Sequence, residues 1–498
     1  MKWAQQGSPS SHWTIAVSDQ WYLVGLVSIF IAHLFLAMAL PPSEDELYYW
    51  TWSQTLSLSY FDHPPLVAWL ISLSTRVFGH SILGIRCPAI LTHFFVLYQL
   101  GKLSPNKTIL GLLLLTPLSL FGSVIMTPDI PLIFFWLCYL QWALATETRF
   151  STWGDDPLTR VYRQSPVGYR AWFIGGLFLG LGLLSKYTMA LAPICLFFLL
   201  ASRYRLKAWV KGFAIHLFIA FVLFSPVLVF NRTFNFEPTK FQWEHTQNAV
   251  SWTFVFTFLG GQILILGALP FLMFPWLLLH FKNYSRLPKL RTLAYFFLLP
   301  FVFFLYKSTH HFVDTNWALV TYISFWPLAD HVIAQTSFRP LANLFVFVSF
   351  LIPLTLTGAI FIHLSTPIRW IPVHQDRLSR MKSQLELAKQ ISSSLYEMPQ
   401  LPVYLQSYQW TSYFRFLGIT RAQQLANASR KSQFTLIATA DPCSQPALLF
   451  LKGADDPVPS NLNCFKKQKL IEQFRLEVRG QELEKWSLME FTKPENPK

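Results

Sequence analysis

The chain contains few charged residues for its length of 498: only 13% are Asp, Glu, Lys or Arg, whereas soluble domains average about 25%. Hydrophobic residues make up 53% and aromatic residues 17%, a composition that excludes an ordinary soluble domain. The formal net charge is +15, but the basic residues stand in short clusters between apolar runs. Such clusters set the orientation of membrane proteins, so we predict a membrane partner and no nucleic acid.

Cysteine is also scarce, and the five cysteines lack metal-ligand spacing. Cys87, Cys138 and Cys195 lie in or beside apolar runs and are interpreted as small core residues. Cys443 and Cys464 fall in a polar tail, where a disulfide is open if the tail lies in an oxidising compartment.

Apolar runs long enough to cross about 30 Å of hydrocarbon predict about eleven transmembrane helices. The first lacks the basic segment and the cleavage site of a signal peptide, so we expect it to be a span. A segment near 64–80 is apolar but contains Arg76 and follows two prolines, and we interpret it as a helix lying on the membrane surface. The predicted spans are 21–40, 87–101, 108–122, 128–146, 171–185, 188–202, 212–230, 254–280, 292–306, 315–334 and 341–362.

The distribution of Lys and Arg among the loops predicts an inside N-terminus and, with an odd number of spans, an outside C-terminal tail. We therefore divide the chain into a membrane module, 1–363, and a soluble extracytoplasmic domain, 364–498. The tail gains charge and has strand-like runs at 434–438 and 447–451. Helical spacing is evident near 375–398. These features predict a small α/β domain.

Acidic residues gather in the loops that are predicted to lie outside: Asp45 and Glu46, Asp62 beside His63, and Asp129. Ionisable side chains at membrane depth are costly, so this cluster indicates a functional site. Each has an ordinary alternative: Asp45 and Glu46 could begin a helix capped by Ser43. Asp62 could belong to a turn, and Asp129 could cap a span.

Cations are few on the same side, and they are the candidates for holding an anion there. Lys186 could equally be a lysine that reaches for the membrane surface. Adjacent His310 and His311 rarely share one metal ion, so we do not interpret them as a metal site. The candidate cations are Arg86, Lys186, Arg232 and Lys307.

An ordered set of short motifs resembles the bacterial GT-C glycosyltransferases related to protein O-mannosyltransferases and to the lipid A aminoarabinose transferase. Each motif is modest, but their order over about the first 335 residues is specific. The motifs are DELYYWTWS at 45–53, YFDHPPLVAWL at 60–70, MTPDIPL at 126–132, GLGLLSKYT at 180–188, FSPVL at 224–228, FLGGQ at 258–262 and NW at 316–317.

The resemblance implies site residues position by position. Asp45 matches the acid that serves as catalytic base or site organiser, Glu46 completes the pair, and Asp129 matches a second acidic position. Asp62 and His63 fall where the aminoarabinose transferase has an acid and a phosphate-binding lysine. Because histidine replaces that lysine here, its phosphate contact is in doubt.

The other implied substrate-binding residues come from two later motifs. Lys186 matches the lysine of a Ser/Thr-Lys turn. Asp314, Asn316 and Trp317 correspond to an acid-containing family element that here lacks its proline. Asp45 and Glu46 would serve a divalent metal as well as a proton, so metal dependence stays open, and no other cofactor is implied.

The implied activity is inverting transfer of a hexose or pentose from a polyprenyl-phosphate carrier. The acceptor would be a lipid, a polysaccharide or a protein at the outer face of the cytoplasmic membrane. The alternatives are a transporter or flippase and, within the enzyme class, a transferase of lipid-linked oligosaccharide. A transporter is expected to have mid-span ionisable residues and inverted repeats, and we find no repeat.

Overall fold

The computed structural model describes residues 17–155, 167–244, 250–335, 339–398, 400–426, 429–437, 445–453 and 467–492. The chain forms two compact units. The first lies within Met1–Leu36, His63–Val67 and Arg86–Ala359, and the second within Ala37–Asp62, Ala68–Ile85 and Ile360–Lys498. Cys443 and Cys464 lie outside the described residues.

Most of the described chain is helical. Short 3-10 helices span Gly122–Val124, Tyr187–Ala190, Thr315–Ala318 and Val373–Gln375. The α-helices are α1 (Asp19–Ala39), α2 (Glu44–Gln54), α3 (Leu66–Phe78), α4 (Ile82–Leu103), α5 (Thr108–Leu113), α6 (Pro117–Leu120), α7 (Asp129–Asp155), α8 (Tyr169–Leu183), α9 (Leu191–Ala201), α10 (Leu206–Thr233), α11 (Glu237–Glu244), α12 (Trp252–Leu266), α13 (Leu269–Leu279), α14 (Phe281–Tyr284), α15 (Pro288–His310), α16 (Leu319–Ala334), α17 (Arg339–Ser365), α18 (Arg377–Tyr396), α19 (Tyr408–Phe416) and α20 (Gln433–Leu436).

Six helices of the described chain are long and apolar enough to cross a membrane: α1, α4, α7, α10, α15 and α17. They match six of the predicted spans. Three shorter apolar helices of 10–17 residues lie at Leu66–Phe78, Tyr169–Leu183 and Tyr187–Ala201. The predicted count of eleven is not confirmed, because several runs that we interpreted as spans are short or broken helices.

Two of these breaks have a visible local cause. The run at 254–280 divides into α12 and α13, which meet at 109°. Gly267 between them has a φ of 95°, and a Cβ there would stand 2.6 Å from the backbone oxygen of Ser349. The run at 108–122 is divided as well, because α5 ends at Leu113 and a new helix, α6, begins at Pro117. Thr116 caps α6, and Pro117 occupies its first turn.

The first unit is held together by close helix packing and by a buried ion pair. Gly176 and Gly180 of α8 meet α10 so closely that a Cβ would collide with it, as small residues do in membrane helix pairs. Farther along the unit, Arg291 of α15 donates from Nε to Glu147 of α7 over 2.8 Å. The ion pair ties α15 to α7, whose first residue is Asp129.

The second unit contains a five-stranded mixed sheet of order β2-β1-β3-β5-β4. Strand β1 is parallel to β2 and β3, while β5 is antiparallel to β3 and β4. The turn between β4 and β5 has positive φ at Arg479 and Gly480, as tight hairpins require. The strands are β1 (Val403–Leu405), β2 (Ala422–Gln424), β3 (Ala447–Lys452), β4 (Lys467–Val478) and β5 (Gln481–Thr492).

Comparison with the expected tail elements gives two agreements and one correction. The predicted helix at 375–398 is α18, and the predicted strand at 447–451 is β3. The run at 434–438 is not a strand: residues Gln433–Leu436 form α20, because Ser432 and Thr435 close a capping box. The boundary at 363/364 and the outside location of the tail stay predictions.

The segment near 64–80 is the helix α3, as expected. Leu73, Val77 and Phe78 are exposed along it, while Val67 and Ile71 are buried. An apolar outer face on a short helix suits the predicted position on the membrane surface, and that position stays a prediction.

Candidate functional site

The first cluster of candidate residues is centred on Asp129, at the first turn of α7. Lys186, in the turn after α8, donates from Nζ to both carboxylate oxygens of Asp129, over 2.8 and 3.0 Å. Asn316, in the short helix before α16, donates from its amide to Oδ2 of Asp129 over 2.7 Å. Three predicted residues from distant motifs therefore meet in the first unit.

This ion pair is almost completely buried: Asp129 is 3% exposed and Lys186 is 7% exposed. A buried charge is tolerable only when it is paired and hydrogen-bonded, and here the carboxylate accepts three hydrogen bonds. The arrangement therefore fixes the position of both side chains.

An aromatic ring completes the first cluster. The ammonium of Lys307, at the end of α15, lies 4.7 Å from the centroid of the Trp317 ring, and that of Lys186 lies 5.9 Å from it. Cation–π contact of this kind attracts both ammonium groups to the ring. Two cations of the cluster thus face one indole.

A cavity of about 290 Å³ opens in the same unit, and its wall includes Asp129 and Asn316. The rest of the wall is mostly apolar, with Leu97, Ile130 and Trp326 among its members. An apolar cavity with a few polar groups at one place is the usual form of a ligand site.

The second cluster lies in the second unit and is built around Asp62. Tyr48 of α2 donates its hydroxyl to Oδ2 of Asp62 over 2.9 Å, and Arg430 donates from Nη1 to Oδ1 over 2.7 Å. The Tyr48 hydroxyl also accepts the backbone N–H of Gln433 over 2.6 Å. Asp62 is thus held by one residue of α2 and by one residue of the tail.

Asp45 belongs to the same cluster. Tyr408, the first residue of α19, donates its hydroxyl to Oδ1 of Asp45 over 3.0 Å. The guanidinium carbon of Arg430 lies 4.2 Å from the centroid of the Tyr408 ring. A chain of contacts therefore runs from Asp45 through Tyr408 and Arg430 to Asp62.

Glu46 has a different position. It is 1% exposed and closes a capping box with Ser43, whose backbone N–H donates to Oε2 over 3.0 Å. This contact agrees with the alternative interpretation of Glu46, in which the acid is part of a helix cap.

Burial, together with the neighbouring carboxylates, keeps the tyrosines of the second cluster protonated. Burial, with the negative charge of Asp62, raises the pKa of Tyr48 well above its usual value. Burial and then the charge of Asp45 raise the pKa of Tyr408. Burial lowers the pKa of Arg430, but the charges of Asp62 and Tyr408 and the hydrogen bonds to both residues together outweigh burial, so the net pKa is raised. Both tyrosines thus remain hydrogen-bond donors and Arg430 remains a cation.

The remaining predicted residues are not joined to either cluster by the contacts described above. Arg86 is completely buried near the start of α4 and makes interactions there. Arg232 is exposed in the last turn of α10, and Asp314 is exposed at the start of a 3-10 helix. His63 is partly buried.

Metal binding at Asp45 and Glu46 was left open by the sequence. In the described ranges, no group of three or more His, Cys, Asp or Glu side chains is arranged to hold a metal ion. Asp45 accepts from the Tyr408 hydroxyl and Glu46 from the Ser43 backbone N–H, and metal binding by this pair stays an open prediction.

Sequence reasoning missed Tyr48, Tyr408 and Arg430. Tyr48 was only one of several aromatic residues in the motif at 45–53. Tyr408 and Arg430 stand in the polar tail, where a single tyrosine or arginine has no spacing that marks it. The only available signal was that a carboxylate such as Asp62 needs a partner, and the sequence does not say which one.

Comparison with known proteins agrees with this picture. The structure resembles ArnT from Cupriavidus metallidurans bound to undecaprenyl phosphate, with a TM-score of 0.60 and 16% identity over 95% of this chain and 98% of that one. The apo state of that protein gives 0.59 and 15%, over 94% and 97%. The chain has the GT-C membrane fold. It is therefore a multi-pass membrane protein.

Sequence comparison points to the same superfamily. The family described as dolichyl-phosphate-mannose-protein mannosyltransferase matches residues 62–155 and 160–230, roughly a third of the chain. The lipid A galacturonosyltransferase RgtD of Rhizobium johnstonii is 24% identical over 299 residues, 56% of this chain. The match spans 58% of that relative's length. The resemblance to the protein O-mannosyltransferase and ArnT-like superfamily is confirmed.

Proposed function

We propose that the chain is an integral-membrane glycosyltransferase that moves a sugar from a polyprenyl-phosphate carrier to an acceptor at the outer face of the cytoplasmic membrane. The observation that carries the proposal is the apolar cavity whose wall includes Asp129 and Asn316. A lipid carrier needs an apolar wall for its chain and cations for its phosphate. The bound undecaprenyl phosphate of the ArnT structure and the lipid A acceptor of RgtD support this ligand chemistry.

In this proposal Lys307 makes the main contact with the carrier phosphate. The charge of Lys186 is already balanced by Asp129, whereas no carboxylate in the described part of the chain forms an ion pair with Lys307. The partly buried Lys307 also rests on Trp317. Lys186 then contributes a second hydrogen-bond donor, and the Asp129 carboxylate keeps it in place. Arg232 is a further candidate, at the end of α10.

Asp45 acts as the general base. It takes the proton of an acceptor hydroxyl while that oxygen attacks C1 of the sugar from the face opposite the phosphate. A new C1–O bond forms, the C1–O bond to phosphate breaks, and polyprenyl phosphate leaves with the electron pair. The configuration at C1 is thus inverted. The remaining substrate-binding candidates are Asp62, His63, Arg86, Asp314, Asn316 and Trp317.

The test is transfer from a panel of radiolabelled polyprenyl-phosphate hexoses and pentoses, with purified protein in lipid nanodiscs. Lipid A is the first acceptor to try, followed by membrane polysaccharide and protein fractions. We expect one donor to yield labelled acceptor and free polyprenyl phosphate in equal amounts.

Folded protein that turns over no donor of the panel would contradict the proposal. Proteoliposomes separate it from the alternative: a transporter moves an intact lipid-linked sugar across the bilayer and releases no free carrier. If free carrier were released only from lipid-linked oligosaccharide donors, the enzyme would be the oligosaccharide-transferring alternative.

A further inference from the structure

The second unit places the hydroxyl of Tyr408 on Oδ1 of Asp45, the carboxylate that we propose as the general base. Tyr408 begins α19 in the C-terminal tail, and Ser407 caps that helix by accepting the N–H of Trp410. The tyrosine is thus fixed at the start of a short helix that is largely buried. A donor mounted in this way can hold a carboxylate in one rotamer.

Arg430 supports Tyr408 from a second direction. Its guanidinium stacks on the Tyr408 ring at 4.2 Å and is itself held by Asp62 through a hydrogen bond of 2.7 Å. A planar guanidinium can stack and bond at the same time, which an ammonium cannot do equally well. Asp62 is therefore linked to Asp45 through Arg430 and Tyr408, two residues of the tail.

We infer that Tyr408 is a positioning residue for the proposed base Asp45, and that Arg430 holds Tyr408 in place. The inference rests on the proposed function. A hydrogen bond donated to an ionised carboxylate favours the charged form, so Tyr408 also keeps Asp45 ready to accept a proton at lower pH. The tail is in this sense part of the catalytic apparatus.

The experiment is the pH dependence of kcat for Tyr408→Phe in the full-length protein. A base must be ionised, so activity falls as pH drops through its pKa; loss of the donor raises that pKa. We expect the acid limb to move up by about one pH unit and kcat on the plateau to fall about tenfold through poorer orientation. Tyr396→Phe is the matched control, because Tyr396 also donates to a tail acceptor, the backbone oxygen of Leu417.

Three further variants keep the inference testable if Tyr408→Phe folds poorly. A fluorinated tyrosine at position 408 is a stronger donor of the same shape, and we expect it to move the acid limb down. Arg430→Lys should retain more activity than Arg430→Gln but less than the wild-type chain, with Tyr408 less well held.

An acid limb that stays in place in Tyr408→Phe and in the fluorinated protein would overturn the inference, even if kcat fell, because a purely structural role changes the rate and not the pKa. An equal shift in Tyr396→Phe would overturn it too. Failure of the wild-type chain to turn over any donor would instead remove the proposed function and the inference with it.

Discussion

The two clusters are built with opposite charge balance. In the Asp129 cluster, the cations Lys186 and Lys307 outnumber the single acid and share the face of Trp317. The Asp45 cluster has two acids, Asp45 and Asp62, and the cation Arg430, which pairs with Asp62 while Tyr408 donates to Asp45. A cationic cluster beside an apolar cavity suits an anionic lipid headgroup, whereas an acidic cluster suits proton acceptance. In the proposed function, the first cluster therefore serves the leaving phosphate and the second serves the nucleophile.

The largest effect is expected where the acidic cluster loses its base. Asp45→Asn should lower kcat by about 100- to 10,000-fold, the usual contribution of general base catalysis, with donor binding largely unchanged. Glu44→Gln is the matched control, because Glu44 stands one residue away on the same helix and accepts from Gln384. Full activity in a folded Asp45→Asn protein would contradict the assignment.

The next effect concerns the buried pair of the cationic cluster. Lys186→Met leaves the Asp129 carboxylate buried without its ammonium partner, which costs about 3–5 kcal/mol of stability. The neutral double variant Lys186→Met with Asp129→Asn should recover most of that loss. Thermal unfolding in detergent measures the stability of both variants. Equal melting temperatures for the single and the double variant would refute this account.

A smaller effect is expected at the proposed phosphate contact. Lys307→Gln removes a charge-assisted hydrogen bond, which is worth about 1.5–3 kcal/mol, and should raise KM for the donor by about 10- to 100-fold. Lys282→Gln, on a helix predicted to lie near the inner face, is the matched control. If kcat fell with KM unchanged, Lys307 would act on the reaction step and not on donor binding.

The smallest effect is expected at the ring shared by the two lysines. Trp317→Leu removes a cation–π contact worth about 0.5–2 kcal/mol, so KM for the donor should rise by a few-fold to about 30-fold. Trp317→Phe should lie between the wild-type and leucine variants. A leucine variant indistinguishable from wild type would show that the ring does not position Lys307.

The sequence predicted the members of the first cluster well because their motifs are short, ordered and rich in special residues. Asp129 stands between prolines, Lys186 in the turn that follows a glycine-rich helix, and Asn316 beside Trp317. The motifs could not predict that these three residues are in contact, because separation along the chain does not determine the distance between side chains in the fold. Spans were harder because a run such as 254–280 is apolar throughout, and only the φ of Gly267 divides it.

The acidic cluster was only half predictable, for a different reason. Asp45 and Asp62 are conspicuous as acids among apolar residues, but their partners Tyr408 and Arg430 stand more than 360 positions later in an ordinary polar segment. Hydrogen-bond partners at that separation are decided by tertiary packing. No local sequence pattern predicts these partners.

The contact between Asp62 and Arg430 has a consequence for protein engineering. The tail cannot be treated as an exchangeable module, because it carries the partner of Asp62, which lies in the loop between α2 and α3. A chimera that takes its tail from a relative lacking an arginine at this place would inherit a loop acid without its counterion. Exchanging residues 37–62 together with the tail would keep donor and acceptor matched, so the transplantable part of this chain is discontinuous in sequence.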